Sequence, residues 1–93
     1  MIFTWDPLKN VINKTKHDIS FEEAITVFMD EEALLKPDPD HSIDEDRFLL
    51  IGLSKKLKLL VVVHCYRKND TEIRIISARK ATRRETSQYI GKE

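Results

Sequence analysis

Between Arg74 and Arg84 the chain sets four arginines and a lysine, Arg74, Arg79, Lys80, Arg83 and Arg84, within eleven residues. A guanidinium is planar, permanently charged and able to donate two parallel hydrogen bonds, so such a cluster points first to phosphate, and hence to RNA or DNA. Arg79 closes the apolar run "EIRIISAR". Arg83 opens a helix announced by the capping-box spacing of Thr82 and Glu85. A short turn between them is expected to hold both arginines near a helix N-terminus, where free backbone N–H groups already favour an anion. The structural alternative is that each arginine pairs with acidic groups or simply faces solvent. Glu85 has the chemistry of a general base, although its capping position also gives it a structural role. Tyr89, one turn further on, can bury its ring against a sheet and leave its hydroxyl at the rim. Lys16, His17, Glu45, Arg47, His64, Tyr66 and Arg67 are the other polar side chains that could join such a site; His17, between two helices, is a candidate acid or base, the alternative being a merely solvated loop histidine.

Other chemistries find less support. His17, His41 and His64 fall on different elements without a paired spacing, and Cys65 is the only cysteine. No metal-ligand pattern results, and Cys65 reads as a small core hydrophobe. With Gly52 and Gly91 the only glycines, a glycine-rich phosphate loop and a G-x-S-x-G elbow are excluded. No cofactor is called for. Trp5, beside an expected helix cap, reads as core rather than as a platform for a base.

The elements that must position these groups follow from patterning. A chain of 93 residues supports one domain, residues 1–93. After a short apolar strand, Asp6 and Pro7 supply a helix cap and a proline at the first helical position. Leu8, Val11, Ile12 and Thr15 then recur at helical spacing and are expected to form the buried stripe, with Lys9, Asn13 and Lys16 elsewhere. Ser20 and Glu23 have capping-box spacing and open a second helix with Phe21, Ala24, Ile25 and Phe28 on its apolar side. Pro37 and Pro39 confine the next strand to an edge and introduce an exposed acidic loop. Three strands follow, around Arg47–Ser54, Lys56–Lys68 and Thr71–Arg79, with turns at Ser54–Lys56 and Asn69–Asp70. The run Leu59–Val63 is apolar on both faces and belongs inside the sheet. The order β-α-α-β-β-β-β-α predicts an α+β fold with a meandering antiparallel sheet packed against helices.

Zero net charge conceals a polarity along the chain. Residues Met1–Glu45 carry four lysines against eleven acids, and Asp46–Glu93 carry twelve lysines and arginines against five acids, a balance of −7 and then +7. The second half has the character of a surface that meets phosphates; the alternative is that the halves neutralise each other in three dimensions. "MIFTWD" shows no export signal, and no apolar run is long enough to cross a bilayer, so a cytoplasmic location without membrane contact is expected.

Phe3-Thr4-Trp5-Asp6, Lys9, Asn13, Lys16-His17, "SFEEA" with Phe28 and Asp30, "DHSIDEDR", and "IRIISARKATRRE" with Tyr89 together resemble the BrnT family of bacterial type II toxins almost end to end. The resemblance implies a RelE-like fold and a ribonuclease toxin that shuts down translation. It also implies a BrnA antitoxin that neutralises the toxin and contacts operator DNA, so that DNA is reached only through the antitoxin. RNA, including ribosome-associated RNA, is the implied substrate. Carried over, the family's elements fall on Lys16 and His17, on Glu45 and Arg47, and on Ser77, Arg79, Thr82, Arg83 and Glu85. The family usually has glycine after the Lys-His pair, where this chain has Asp18; a negative charge there is expected to weaken local attraction for phosphate. The implied chemistry is metal-independent attack of an RNA 2′-hydroxyl on its own phosphate. On that reading Arg79 and Arg83 stabilise the phosphate, Lys16, His17 or Glu85 transfers protons, and Arg47, Arg67, Arg74, Lys80, Arg84 and Tyr89 help to bind RNA. The rival reading is a non-catalytic nucleic-acid-binding module or regulatory subunit.

Overall fold

The computed structural model describes residues 1–38 and 45–91; the loop expected around Pro39, including His41, lies outside them. The elements are β1 (Ile2–Thr4), α1 (Pro7–His17), α2 (Phe21–Ile25) continued by a 3₁₀ turn (Thr26–Met29), β2 (Leu34–Pro37), β3 (Arg47–Leu53), β4 (Leu59–Arg67), β5 (Glu72–Lys80) and α3 (Arg83–Gly91). This is the expected order. The strands lie β1-β5-β4-β3-β2, which puts the doubly apolar β4 at the centre and the proline-bearing β2 at an edge.

The direction of one strand was not foreseen. β2 to β5 form the antiparallel meander, but β1 runs parallel to β5, with Ile2, Phe3 and Thr4 opposite Glu72, Ile73 and Arg74. The sheet is therefore mixed rather than wholly antiparallel. A three-residue strand has too little pattern to specify its direction; the long excursion through both helices and the meander permits a parallel return. Thr4 Oγ1 donates to the buried Glu72 carboxylate and ties the two strands side to side.

The core lies between this sheet and the α1–α2 layer. Ile19, Phe21, Ala24 and Val27 pack on Leu50, Leu60, Val62, Ile73, Ile75 and Ala78, with Trp5 and Phe28 against them. Trp5 meets Phe21 edge-on, and Cys65 is buried, so both fill space as their types suggest. Gly52 sits where a Cβ would come within 2.9 Å of Val27 Cγ1 and Ala33 Cβ, and so lets the 3₁₀ turn close on β3. His64 is fully buried among Phe28, Phe48 and Tyr66; burial pushes its pKa down.

Helix α1 reverses the expected orientation. Leu8, Val11 and Ile12 face solvent, and the residue that goes inward is Asn13, 5% exposed. The reason is where α1 docks. β1 covers the outer edge of β5 only at Glu72–Arg74, which leaves the edge beyond it with unpaired backbone groups. Asn13 fills that gap as a strand would: Nδ2 donates to the Ala78 carbonyl at 2.9 Å and Oδ1 accepts from the Ala78 N–H at 3.1 Å. Its second amide hydrogen goes to the Ile19 carbonyl at 2.8 Å. Asn10 adds a second anchor, accepting from the Phe21 N–H and donating to Glu22.

Helix ends follow their signals with one variation. Asp6 accepts from the Leu8 N–H at 2.9 Å, and Pro7 opens α1. Ser20 caps α2 by accepting from the Glu23 N–H, but the Glu23 carboxylate accepts from Ser54 Oγ and lies near Lys56 and Lys58. Half of that expected capping box is thus given over to holding the β3–β4 turn. Asp18 adopts the left-handed conformation, φ 59°, ψ 32°, as the C-cap of α1. The glycine expected there answers a backbone requirement, since this conformation is the one that favours glycine.

Asn13→Ala should lower the unfolding free energy by about 2–4 kcal/mol, because buried backbone groups at Ala78 and Ile19 lose their partners. Asp18→Gly should change it in the other direction, by roughly 0.5 kcal/mol. Urea denaturation of both variants measures the two effects.

Candidate functional site

β5 carries Ile73 and Ile75 into the core, and strict alternation would send Ser77 and Arg79 after them. That does not happen. Val63 pairs with Ser77 while the next residue, His64, pairs with Ile75, so Ile76 is skipped by the ladder as a β-bulge. The phase of the strand flips at that point: Ala78 enters the core, and Ser77 and Arg79 move to the sheet face opposite α1 and α2. Ile73 and Ile75 thus pack into the core, and Ile76 lines the opposite face.

On that opposite face a recess of about 380 Å³ is lined by Asp38, Arg47, Leu49, Val63, Ile76, Ser77 and Arg79. Two cationic side chains thus share one apolar-lined hollow, a low-dielectric setting in which charge acts more strongly than at an open surface. Asp38 and the three apolar residues were not foreseen; they come from strands distant in sequence, and nothing local marks them. A second hollow of about 510 Å³ is lined, among the described residues, by Leu35, Asp46, Phe48, Tyr66 and Asp70, whose carboxylates do not attract phosphate.

Arg79 is held in a fork. Its Nη1 and Nη2 donate to Glu85 Oε1 and Oε2 at 2.7 and 2.9 Å. Glu85 also completes the predicted capping box: Oε1 accepts from the Thr82 N–H at 2.8 Å, and the Glu85 N–H reaches Thr82 Oγ1 at 3.1 Å. The Arg79 guanidinium, with help from Thr82, holds the Glu85 carboxyl down at about 2, against desolvation that opposes it. The same contact raises the Arg79 pKa. In this state Glu85 is a very weak base and already supplies the anion at the N-terminus of α3. The open helix N-terminus expected between Arg79 and Arg83 is therefore largely occupied, and an incoming phosphate must compete with Glu85.

α3 is fixed over this face by polar anchors. Lys36 Nζ donates to Gln88 Oε1 at 2.9 Å, and the Tyr89 hydroxyl donates to Asp30 Oδ2 at 2.7 Å. Asp30 also accepts from the backbone of Glu32 and Leu53, so one carboxylate joins α3 to the end of β3. Hydrogen bonding to Asp30 pushes the Tyr89 phenol up to about 12. Its ring is half-buried as expected, and its hydroxyl serves this anchor.

The remaining residues separate into two groups. Arg83 and Arg84 are exposed in the first turn of α3, and Lys80 is exposed at the end of β5, so all three extend positive charge outward from the recess. Lys16 and His17 end α1, one turn past the Asn13 clamp on Ala78, the residue before Arg79. Beyond them Asp18 pairs with Lys14 at 3.3 Å, which holds its carboxyl below the usual range, with smaller effects from Lys58 and Lys80. Arg74 lies roughly 16 Å up the strand from Arg79. Arg67, at the far end of β4, pairs with Glu45 at 3.4 Å. The linear cluster is thus dispersed: Arg47, remote in sequence, joins Arg79, and Arg67 and Arg74 do not.

The sequence profile described as the ribonuclease toxin BrnT of type II toxin-antitoxin systems matches residues 5–85. The chain belongs to the BrnT family. The crystal structure of the Brucella abortus ribonuclease toxin BrnT superimposes with a TM-score of 0.68 at 22% identity, covering 89% of this chain and all of that one. At that identity the likeness speaks to the fold, and it agrees with a five-stranded mixed sheet and three helices. A search of curated proteins finds no match. The BrnT match spans the clamp residue, the bulge and Glu85, and ends before Tyr89.

Acidification should expose the Arg79–Glu85 pair. A carboxyl with a depressed folded-state pKa contributes stability that is present above its unfolded value of 4.5 and lost as pH falls toward about 2. Other carboxyls titrate in the same window, so the informative quantity is the difference between wild type and Glu85→Gln, whose melting temperatures should converge as pH drops from 5 to about 2. Deleting Ile76 is a sharper test of the bulge. It should leave unfolding cooperative, because with the extra residue gone plain alternation already points Ile75 and Ala78 inward and Ser77 and Arg79 outward; loss of cooperative unfolding would count against the bulge.

Proposed function

We propose that this chain is a metal-independent endoribonuclease toxin with a RelE-like fold, which arrests translation by cleaving RNA and is neutralised by a BrnA-like antitoxin. The observation that carries the reading is the recess in which Arg47 and Arg79 converge beside Ser77 over apolar walls. In the proposed reaction the 2′-oxygen attacks the adjacent phosphorus, the 5′-oxygen leaves, and a 2′,3′-cyclic phosphate forms. Arg79 and Arg47 bind the phosphoryl oxygens, and Arg83, in the first turn of α3, extends the positive surface outward from the recess. Proton transfer falls to His17 or Lys16. Glu85 is assigned to orienting Arg79, because a carboxyl held at about 2 is mismatched to base catalysis near neutrality. Lys80 and Arg84 contribute diffuse attraction to the RNA backbone, and Arg67 and Arg74 lie outside the reacting centre.

The test is cleavage of total RNA by the purified protein in EDTA. New ends should appear, and Arg79→Ala and Arg47→Ala should each slow their formation on the order of a hundredfold or more. Arg84→Ala should change the rate by no more than about threefold, as expected of a screened surface charge. Salt-dependent RNA binding without new ends would instead favour the non-catalytic module. Toxicity on expression alone, relieved by the product of the adjoining gene, tests the toxin–antitoxin part.

A further inference from the structure

We propose that the outward aliphatic face of α1 is the docking surface for the antitoxin, and that the segment it receives is an amphipathic helix whose apolar stripe is flanked by acidic side chains. This rests on the toxin–antitoxin reading above and assigns that partner a place. Leu8, Val11 and Ile12 are 65%, 62% and 54% exposed, and with Thr15 they form a continuous i, i+3, i+4, i+7 row, the spacing by which one helix receives another.

The row cannot turn inward. Asn13 and Asn10 together make five hydrogen bonds to Ala78, Ile19, Phe21 and Glu22 on the opposite side of the helix. Rotating α1 to bury the aliphatics would break them and strand the edge of β5. Beside the row, a groove of about 310 Å³ between α1 and the start of α2 is lined by Asn10, Val11, Lys14, Thr15, Ser20 and Glu22, room enough for a partner side chain.

Charge and size choose the occupant. α1 carries Lys9, Lys14 and Lys16 and no acidic residue, so a partner helix must bring carboxylates to the flanks. A second copy of α1 would set lysines against lysines. The exposed aliphatic patch is on the order of a few hundred Å², short of the roughly 800 Å² per partner that a stable symmetric contact needs. The partner must therefore extend beyond α1, as a separate chain can. An acidic helix laid along α1 also reaches Lys16 and His17 at its end, and neutralises charge that the proposed reaction uses.

The experiment measures binding of the adjoining gene's product to the full chain and to Val11→Lys, Ile12→Lys and the control Leu57→Lys, at an exposed turn remote in sequence. RNA cleavage and melting are recorded for each protein. Val11→Lys and Ile12→Lys should weaken the complex at least about a hundredfold, the scale of an interface hot spot, with cleavage and melting temperature unchanged. Leu57→Lys should bind like wild type. Added salt should weaken the wild-type complex. Wild-type affinity in both α1 variants overturns the proposal and leaves the toxin–antitoxin reading standing. A wild-type dimer that Val11→Lys dissociates overturns it in favour of a second copy. No binding by wild type overturns the partner reading and the surface together.

Discussion

The register slip at Ile76 is the constraint on which the candidate site depends. A β-strand can present only alternate residues to one face, so a strand that begins with Ile73 and Ile75 in the core must bury Ser77 and Arg79 unless its phase is reset. The extra residue resets it. Downstream of the bulge Ala78 can close the core, and Arg79 lines the same recess as Arg47 on the opposite face. Bulges commonly re-aim side chains in this way beside functional sites.

A second consequence follows for the edge of the sheet. β5 is long and β1 short, so the outer edge of β5 is left uncovered just where the bulge has placed its functional end. An asparagine side chain solves this because a carboxamide has the donor and acceptor of a peptide group, and Asn13 supplies both to Ala78. The clamp explains why α1 shows its asparagines to the protein and its aliphatics to water. It also fixes α1, whose last turn carries Lys16 and His17, to the strand that carries Arg79.

The electrostatics of the site are more restrained than the arginine count suggests. The Arg79 fork is already engaged by Glu85, and Asp38 lies in the same recess as Arg47. At rest, then, carboxylates balance the local cations. This keeps the guanidinium of Arg79 in one orientation, which a free, solvated arginine would not maintain. Among the described residues the ion pairs are of both kinds: Lys56 and Lys58 with Glu23, and Arg67 with Glu45, cross between the acidic and basic halves, whereas Arg79 with Glu85 lies within the basic half.

The element order, the central place of β4, the edge place of β2, the caps at Asp6 and Ser20 and the Thr82–Glu85 box were all legible in the sequence. Each rests on interactions among near neighbours: a side chain reaching an N–H two or three residues on, a proline lacking its donor, an apolar run matching a strand. The arginines of β5 and α3 were visible for the same reason. The direction of β1, the outward turn of α1, the bulge, and the meeting of Arg47 with Arg79 were not. These depend on which backbone groups are left unpaired once distant strands assemble. Leu8, Val11 and Ile12 read as a buried stripe because helical periodicity records amphipathicity without saying which face meets the protein. Only the assembled sheet, with an open edge that an asparagine can satisfy and an aliphatic side chain cannot, decides that question.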